Sequence, residues 1–242
     1  MLRLVSFADG PYSRRASVFQ HEAKALGVFD EIVVHDRATL DPNYRQHHER
    51  YMLANERGFG HYIWKSQVVH QACTDASEHD LICWLDIGFT LNPMGQPRFR
   101  EYIRLAYESP WGMLSFWSVH TENRWTKADL AVRLGVSDNI AVMGTSQLSS
   151  GFFLFLPTAD NVRLIRTWAE LATEHDYHYS SDAPSAVADH PRFVAHRHDQ
   201  SIFSLLRKIR GTTSTCYEVQ PYADWFQRFR VDFPCWATRL RE

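Results

Sequence analysis

Apolar residues fall in short runs separated by polar, helix-periodic stretches. The first run, Leu2 to Ala8, predicts a buried strand broken by Asp9-Gly10-Pro11. Ser13 is placed to cap a helix through about Leu26, with Ala16, Phe19, Ala23 and Leu26 on one face and Gly27 as its stop. Glu31 to His35 reads as a second strand, and strand, helix, strand at this spacing predict a βαβ unit with parallel pairing and a right-handed crossover. A helix from Asp41 or Pro42 to about Leu53 follows, then a glycine-aromatic loop from Arg57 to Lys65 and a helix from Trp64 to about Ala76. Asp80 to Asp86 reads as the third strand, central in the sheet because both of its faces are apolar. Beyond it the pattern predicts a helix over Pro97 to Tyr107 and a strand over Trp111 to Trp117. A short helix then opens with Thr126 as its N-cap and ends at Gly135. Phe152 to Leu156 is a strand, Thr158 caps a helix to about Glu174, and a last helix runs from Asp199-Gln200 to about Ile209. The polar stretch from Asp176 to Pro191 has no period and reads as a mobile loop. The alternation predicts one α/β domain over 1–242, with a tail from about 212 to 242.

Apolar residues make up 45% of the 242, enough to fill the core of one such domain. The net charge of -2 supplies no global field for nucleic acid, so none is expected as a partner, and any anionic ligand must be met by local groups. Four cysteines lie far apart with no CxxC or zinc-ribbon spacing, which fits a reduced, cytoplasmic compartment. The start of the chain lacks the features of a cleaved leader, and no run approaches the roughly 20 apolar residues of a membrane span. The expectation is a soluble protein, at most peripheral to the inner face of the cytoplasmic membrane. Trp225 to Arg230 and Trp236 to Arg241 mix aromatics with arginines, which suits either contact with an anionic membrane surface or a tail packed on the domain.

The motifs that identify common nucleotide and hydrolytic sites are missing. There is no phosphate loop, no dinucleotide fingerprint around Gly58-Phe59-Gly60, no nucleophile elbow near Gly151 and no HExxH. The candidates are therefore positional. Asp86 ends an apolar strand just before Ile87-Gly88, where an open α/β sheet binds ligands and where an acid can hold a divalent cation; it could equally close an Asx turn. Asp9-Gly10 follows the first strand, either as a loop that lets a nucleotide approach the backbone or as a plain turn, with Arg14 and Arg15 in reach of a phosphate or simply solvated. Lys65 can meet a diphosphate as a point charge, and Tyr62 and Trp64 can stack on a base or sugar ring or pack in the core. In His196-Arg197-His198-Asp199-Gln200, helix capping accounts for Asp199 but not for the cluster. Trp125-Thr126-Lys127 and Ser149-Ser150-Gly151 are weaker: capping explains Thr126, close backbone approach explains Gly151, and Lys127 is an anion contact if its loop faces the cleft.

Taken in order, these pieces are more specific than any one of them. The Asp9-Gly10 loop, Trp64-Lys65, Leu85-Asp86-Ile87-Gly88, Trp125-Thr126-Lys127, Ser150-Gly151-Phe152-Phe153 and His196-Arg197-His198-Asp199-Gln200-Ser201 resemble bacterial polysaccharide-type glycosyltransferases of the GT-A fold, over roughly Leu4 to Leu206. The resemblance implies a Rossmann-like domain with a mixed, mostly parallel central sheet flanked by helices. It implies transfer of a sugar from a nucleoside diphosphate sugar to a hydroxyl of a glycan or lipid-linked acceptor, in polysaccharide biosynthesis. The donor then meets Ala8, Asp9, Gly10, Arg14, Tyr62, Trp64, Lys65, Asp86, Gly88 and Gln200, with Asp199 and Asp86 at the reacting centre. Trp125, Lys127, Ser150 and Gly151 contact the acceptor or sugar, and the 176–191 segment acts as a lid. Many GT-A enzymes carry a DxD triplet, whereas Gly88 stands at the third position here. Two routes stay open: Mn²⁺ or Mg²⁺ held by Asp86 with His198 and the diphosphate, or metal-independent transfer with Lys65 and Arg14 or Arg15 neutralising the leaving group. A metal-dependent nucleotidyltransferase or phosphohydrolase, and a non-catalytic carbohydrate- or nucleotide-binding module, are the alternative functions.

Overall fold

The computed structural model describes residues 1–216 and 232–241. In chain order they form β1 (Leu2–Phe7), α1 (Arg15–Leu26), β2 (Glu31–His35), α2 (Pro42–Ala54), α3 (Trp64–Thr74), β3 (Leu81–Leu85), β4 (Thr90–Leu91) and α4 (Gln96–Glu108). There follow β5 (Met113–Thr121), α5 (Ala128–Arg133), β6 (Ser146–Phe155), α6 (Ala159–Tyr177), α7 (His198–Arg210), β7 (Thr213–Thr215) and β8 (Cys235–Trp236). The main sheet has six strands in the order β2-β1-β3-β6-β5-β7. β1 runs parallel to β2 and β3, and β7 parallel to β5, while β6 is antiparallel to both of its neighbours. This is the mixed, mostly parallel α/β sheet that the resemblance implied.

β3 is central, and all five of its residues are buried. Leu81, Cys83 and Leu85 join Phe19, Leu26, Phe99 and Tyr102 in one core, beneath α1 and α4. Ile82 and Trp84 face the other core, with Val68, Trp168 and Phe203 of α3, α6 and α7. An apolar run with no alternation is what two covered faces require. Trp168 and Phe203 stack with ring centroids 4.1 Å apart, a pairing that adds about 1 kcal/mol to their burial.

Three caps differ from the sequence expectation. Ser13 does not cap α1. Its amide closes a 3-10 turn onto Gly10, and Arg14 holds the cap position with no side-chain bond. Thr126 does not cap α5, because its hydroxyl donates to Glu122 at 2.6 Å; Asp189 instead accepts from the Ala128 amide at 2.7 Å. Asp199 is no N-cap either, since its carboxylate is engaged elsewhere. The expected stops are present: Gly27 closes α1 at φ 66°, a left-handed value that suits glycine, and Thr158 caps α6.

The 176–191 stretch has little regular structure, and side chains of the Lys127–Asp129 segment bond to its backbone. Lys127 donates its ammonium protons to the carbonyls of His178, Ser181 and Ala183. Asp129 accepts from the amides of Ala186 and Val187 at 2.7 and 3.1 Å. At the other end, β8 pairs antiparallel with β4, Thr90 opposite Trp236 and Leu91 opposite Cys235. The Trp236–Arg241 part of the aromatic-basic tail therefore packs on the domain, while Trp225 to Arg230 lie outside the described residues. Among the described residues no helix is long and apolar enough to cross a membrane.

Candidate functional site

Asp86 lies one residue beyond the end of β3, where the parallel strands deliver their carboxyl ends. Its amide donates to Gly151 O at 2.9 Å, which ties it to the middle of β6. Its Oδ1 accepts from Trp84 Nε1 at 3.0 Å and from Lys65 Nζ at 2.9 Å. The same ammonium lies 3.0 Å from Asp199 Oδ2, which also accepts from Ser150 Oγ at 2.6 Å. Lys65 is 3% exposed, so one buried cation bridges two carboxylates delivered by β3 and α7. Burial opposes its charge, but Asp199 and Asp86 outweigh burial and hold the ammonium above the ordinary lysine pKa. Gly151 must be glycine for this arrangement, because a Cβ there would stand 2.8 Å from Asp86 Oδ2.

Two cavities meet at Asp86. The larger, about 570 Å³, is lined by Asp9, Gly10, Tyr12, Phe59, Trp64 and Gly88 among others. The smaller, about 90 Å³, is polar and holds Lys65, Ser150, Gly151, His198, Asp199 and Gln200. Tyr62, Asp86, Phe89 and Arg239 line both. A large apolar-walled chamber beside a small polar one suits a ligand with a flat aromatic part and a hydroxyl-rich part.

The wall between them is an unusual backbone. Gly58, Phe59, Gly60, His61 and Tyr62 all have positive φ, from 51° to 78°. For the three non-glycine residues this costs roughly 1–2 kcal/mol each. Glycine is required at 60, where a Cβ would lie 2.8 Å from Met52 Cα. The result is a left-handed turn that turns Phe59 and Tyr62 into the cleft. Glycine spacing in the sequence announced a tight loop, but nothing in it announced five consecutive residues of this hand.

Below this turn lies a histidine layer. His198 Nδ1 lies 2.7 Å from Ser180 O, so it is the donor, and the buried Nε2 has no hydrogen-bond partner among the described residues. His61 Nδ1 meets Tyr51 Oη at 2.8 Å, and the His61 and His198 rings lie 4.9 Å apart. Burial pushes the His198 pKa down to about 4 and lowers those of His61 and His196. An unfolded imidazole takes its proton as the pH falls through about 6.5, whereas these stay neutral in the fold until lower pH. Stability is therefore fully present above pH 6.5 and is lost as the pH falls from there toward 4. His198 alone accounts for on the order of 2 kcal/mol of loss by pH 5. Thermal unfolding followed by circular dichroism at pH 7.5 and pH 5 should show the midpoint drop; an unchanged midpoint contradicts this assignment.

The other sequence candidates divide. Asp9 lines the large cavity with its carboxylate bonded to Arg37 at 2.8 Å, and Trp64 lines it while stacked on Phe7 at 4.0 Å. Gln200 lines the small cavity and donates to Gln147 Oε1 at 2.7 Å. Ala8 is buried and faces a separate surface groove. Arg14 is exposed and lines neither cavity, and Arg15 is committed to Glu22 and Phe89 O at 2.6 and 2.8 Å. Trp125 lines neither cavity and carries Arg197 over its ring at 5.6 Å. Lys127 is 2% exposed and faces backbone carbonyls, not an anion. The sequence reading missed Arg37, Tyr12, Arg239 and Arg241; the last two were visible only as part of an aromatic-basic tail, with no link to the cleft.

The donor set falls short of a resident metal. Among the described residues no three His, Cys, Asp or Glu side chains converge as ligands. Asp86 Oδ1 is already occupied by Trp84 and Lys65, and the Lys65 ammonium stands where a cation bridging Asp86 and Asp199 would stand.

No sequence-family profile matches the chain, and no curated protein matches it. Similarity appears among solved structures. One is a glycosyltransferase involved in the glycosylation of the major capsid of PBCV-1, at 12% identity and a TM-score of 0.53, covering 97% of this chain and 90% of that one. Mouse xyloside xylosyltransferase 1 is 16% identical over 97% and 96% of the two chains, with a TM-score of 0.48. The galactosyltransferase LgtC, solved with donor and acceptor sugar analogs, is 14% identical over 95% and 83%, with a TM-score of 0.46. At these identities the likeness is one of fold, and the fold is the α/β architecture of the PBCV-1 glycosyltransferase.

Proposed function

We propose that this protein is a glycosyltransferase that moves a sugar from a nucleoside diphosphate sugar to a hydroxyl of a glycan or lipid-linked acceptor, in polysaccharide biosynthesis. The observation that carries the reading is the Asp86–Lys65–Asp199 bridge, which lines the smaller cavity and whose Asp86 lines the larger one as well. The nucleoside occupies the larger chamber, between the Asp9-Gly10 loop with Tyr12 and the ring of Phe59. The sugar enters the smaller one, among Asp199, Ser150 and Gln200.

In the reaction the bond from the anomeric carbon to the diphosphate oxygen breaks, and its electron pair leaves on the diphosphate. The acceptor oxygen bonds to the same carbon, and its proton is passed to a base. Positive charge grows at the anomeric carbon as the leaving group departs. Asp86 and Asp199 present carboxylates to that region, held in place by Lys65, Trp84 and Ser150 before the substrate arrives. Fixed charges of this kind need no reorganisation during the reaction, and the narrow polar cavity limits the water that would otherwise take the sugar.

Incubating the protein with a panel of nucleotide sugars and glycan acceptors, with and without Mn²⁺, tests the reading. Nucleoside diphosphate release that depends on acceptor is expected. Nucleoside monophosphate as the product would instead mark a nucleotidyltransferase or phosphohydrolase. Binding with no turnover under any acceptor would mark a non-catalytic module.

A further inference from the structure

Gly88, which stands where a second acid is found in DxD enzymes, is the seat of a strap formed by residues 234–241. Gly88 O accepts from the Arg239 amide at 2.7 Å and from Thr238 Oγ1 at 3.2 Å. Thr238 is also bonded to Thr90 at 2.8 Å, and β8 pairs with β4 just before it. A Cβ on Gly88 would lie 3.4 Å from Arg239 Cα and 3.5 Å from the Tyr12 ring, so a longer side chain would have to displace the strap. Arg239 itself has φ 62°, a left-handed conformation that a non-glycine residue adopts at a cost. That conformation sets its side chain at the junction of the two cavities, both of which it lines. Its charge reaches His120, whose pKa is pushed down to about 4 by burial first and then by Arg197 and Arg239. Arg241 follows on the same strap and lies over the Tyr12 ring at 5.6 Å, inside the large cavity.

We propose that Arg239, carried over Gly88 by this strap, is the fixed cation that binds the donor's diphosphate, so that the protein holds a nucleoside diphosphate without a divalent metal. The inference rests on the glycosyltransferase reading for the identity of the ligand. A diphosphate joining a nucleoside in the large chamber to a sugar in the small one must cross their junction, and Arg239 lies there. Lys65 cannot serve this purpose, because two carboxylates already consume its charge. The planar guanidinium is suited to the task, since it presents paired donors to adjacent phosphate oxygens.

The test is calorimetric titration of the full chain with UDP, GDP, ADP and CDP, each in EDTA and again in Mn²⁺, beside the corresponding nucleosides. At least one diphosphate is expected to bind in EDTA. Arg239→Ala should weaken it about tenfold or more, and Arg239→Lys should recover part of the loss. Affinity for the matching nucleoside should be unchanged, which separates a lost phosphate contact from a damaged pocket. If Arg239→Ala does not fold, Arg239→Gln and Arg239→Lys make the same comparison. Binding that requires Mn²⁺, or equal affinity in the alanine variant, overturns the inference and leaves the glycosyltransferase reading standing. Failure of every diphosphate to bind in either condition overturns both.

Discussion

Lys65→Met should unfold far more readily than the parent and turn over no donor. Methionine is of similar length and unbranched, but brings no charge. Asp86 and Asp199, now bridged by one ammonium, would face each other across a site in which Asp199 is 4% exposed. Removing one partner from a buried ionic group costs about 3–5 kcal/mol, because what remains is an uncompensated buried charge. Total stability for a domain is about 5–15 kcal/mol, so the loss is a large share of the whole. For a chain of this size it lowers the unfolding midpoint by roughly 10 °C. A second change, Asp199→Asn in the Lys65→Met background, removes one of the stranded charges and should restore part of the midpoint without restoring turnover. Denaturant melts of the parent, single and double variants decide the matter. A single variant within about 1 kcal/mol of the parent would mean that the bridge contributes little, and partial recovery in the double variant is what its geometry demands.

Much of the framework was legible in the sequence, for a physical reason. Strand burial and helix periodicity are local patterns, so β1, β2 and β3, the Gly27 stop and the Thr158 cap could be read from the chain. The end of β3 at Asp86 could be read in the same way. What could not be read was decided by contacts distant in sequence. Arg15 read as either a phosphate contact or a solvated first-turn residue, yet it is buried because Phe89 O and Glu22 meet it. Lys127 looked like an anion contact, yet three carbonyls of the 176–191 stretch surround it. β6 begins at Ser146, well before the apolar run that announced it, because its early polar residues bond inward: Gln147 to Ser201, and Ser150 to Asp199. The site itself was half legible. Asp86, Lys65 and Asp199 were each singled out, but no spacing rule reveals that one ammonium joins two acids more than a hundred residues apart in the chain. Arg239 was hidden further, since its position depends on a strap that pairs with a two-residue strand.

Asp86→Asn separates the chemistry of this site from its architecture. Asparagine keeps the shape, and its carbonyl oxygen can still accept from Trp84 Nε1 and Lys65 Nζ, which now lie 3.0 and 2.9 Å from Asp86 Oδ1. Lys65 retains Asp199 as its counter-charge, so the melting midpoint should move by no more than about 1 kcal/mol in equivalent stability. A role confined to a turn at the end of β3 therefore predicts nearly normal turnover. A carboxylate set against positive charge developing on the sugar predicts something different. Turnover should fall by about a hundredfold or more, the scale on which one preorganised electrostatic partner contributes. Nucleoside diphosphate affinity in EDTA should hold or improve, because a negative charge beside the diphosphate has gone. Loss of affinity only in the presence of Mn²⁺ would show instead that Asp86 acts through a cation delivered with the donor. Measuring turnover and diphosphate affinity on the same variant thus distinguishes a turn residue, a cation ligand and a carboxylate acting at the reacting carbon, and near-parent turnover would remove Asp86 from the reaction altogether.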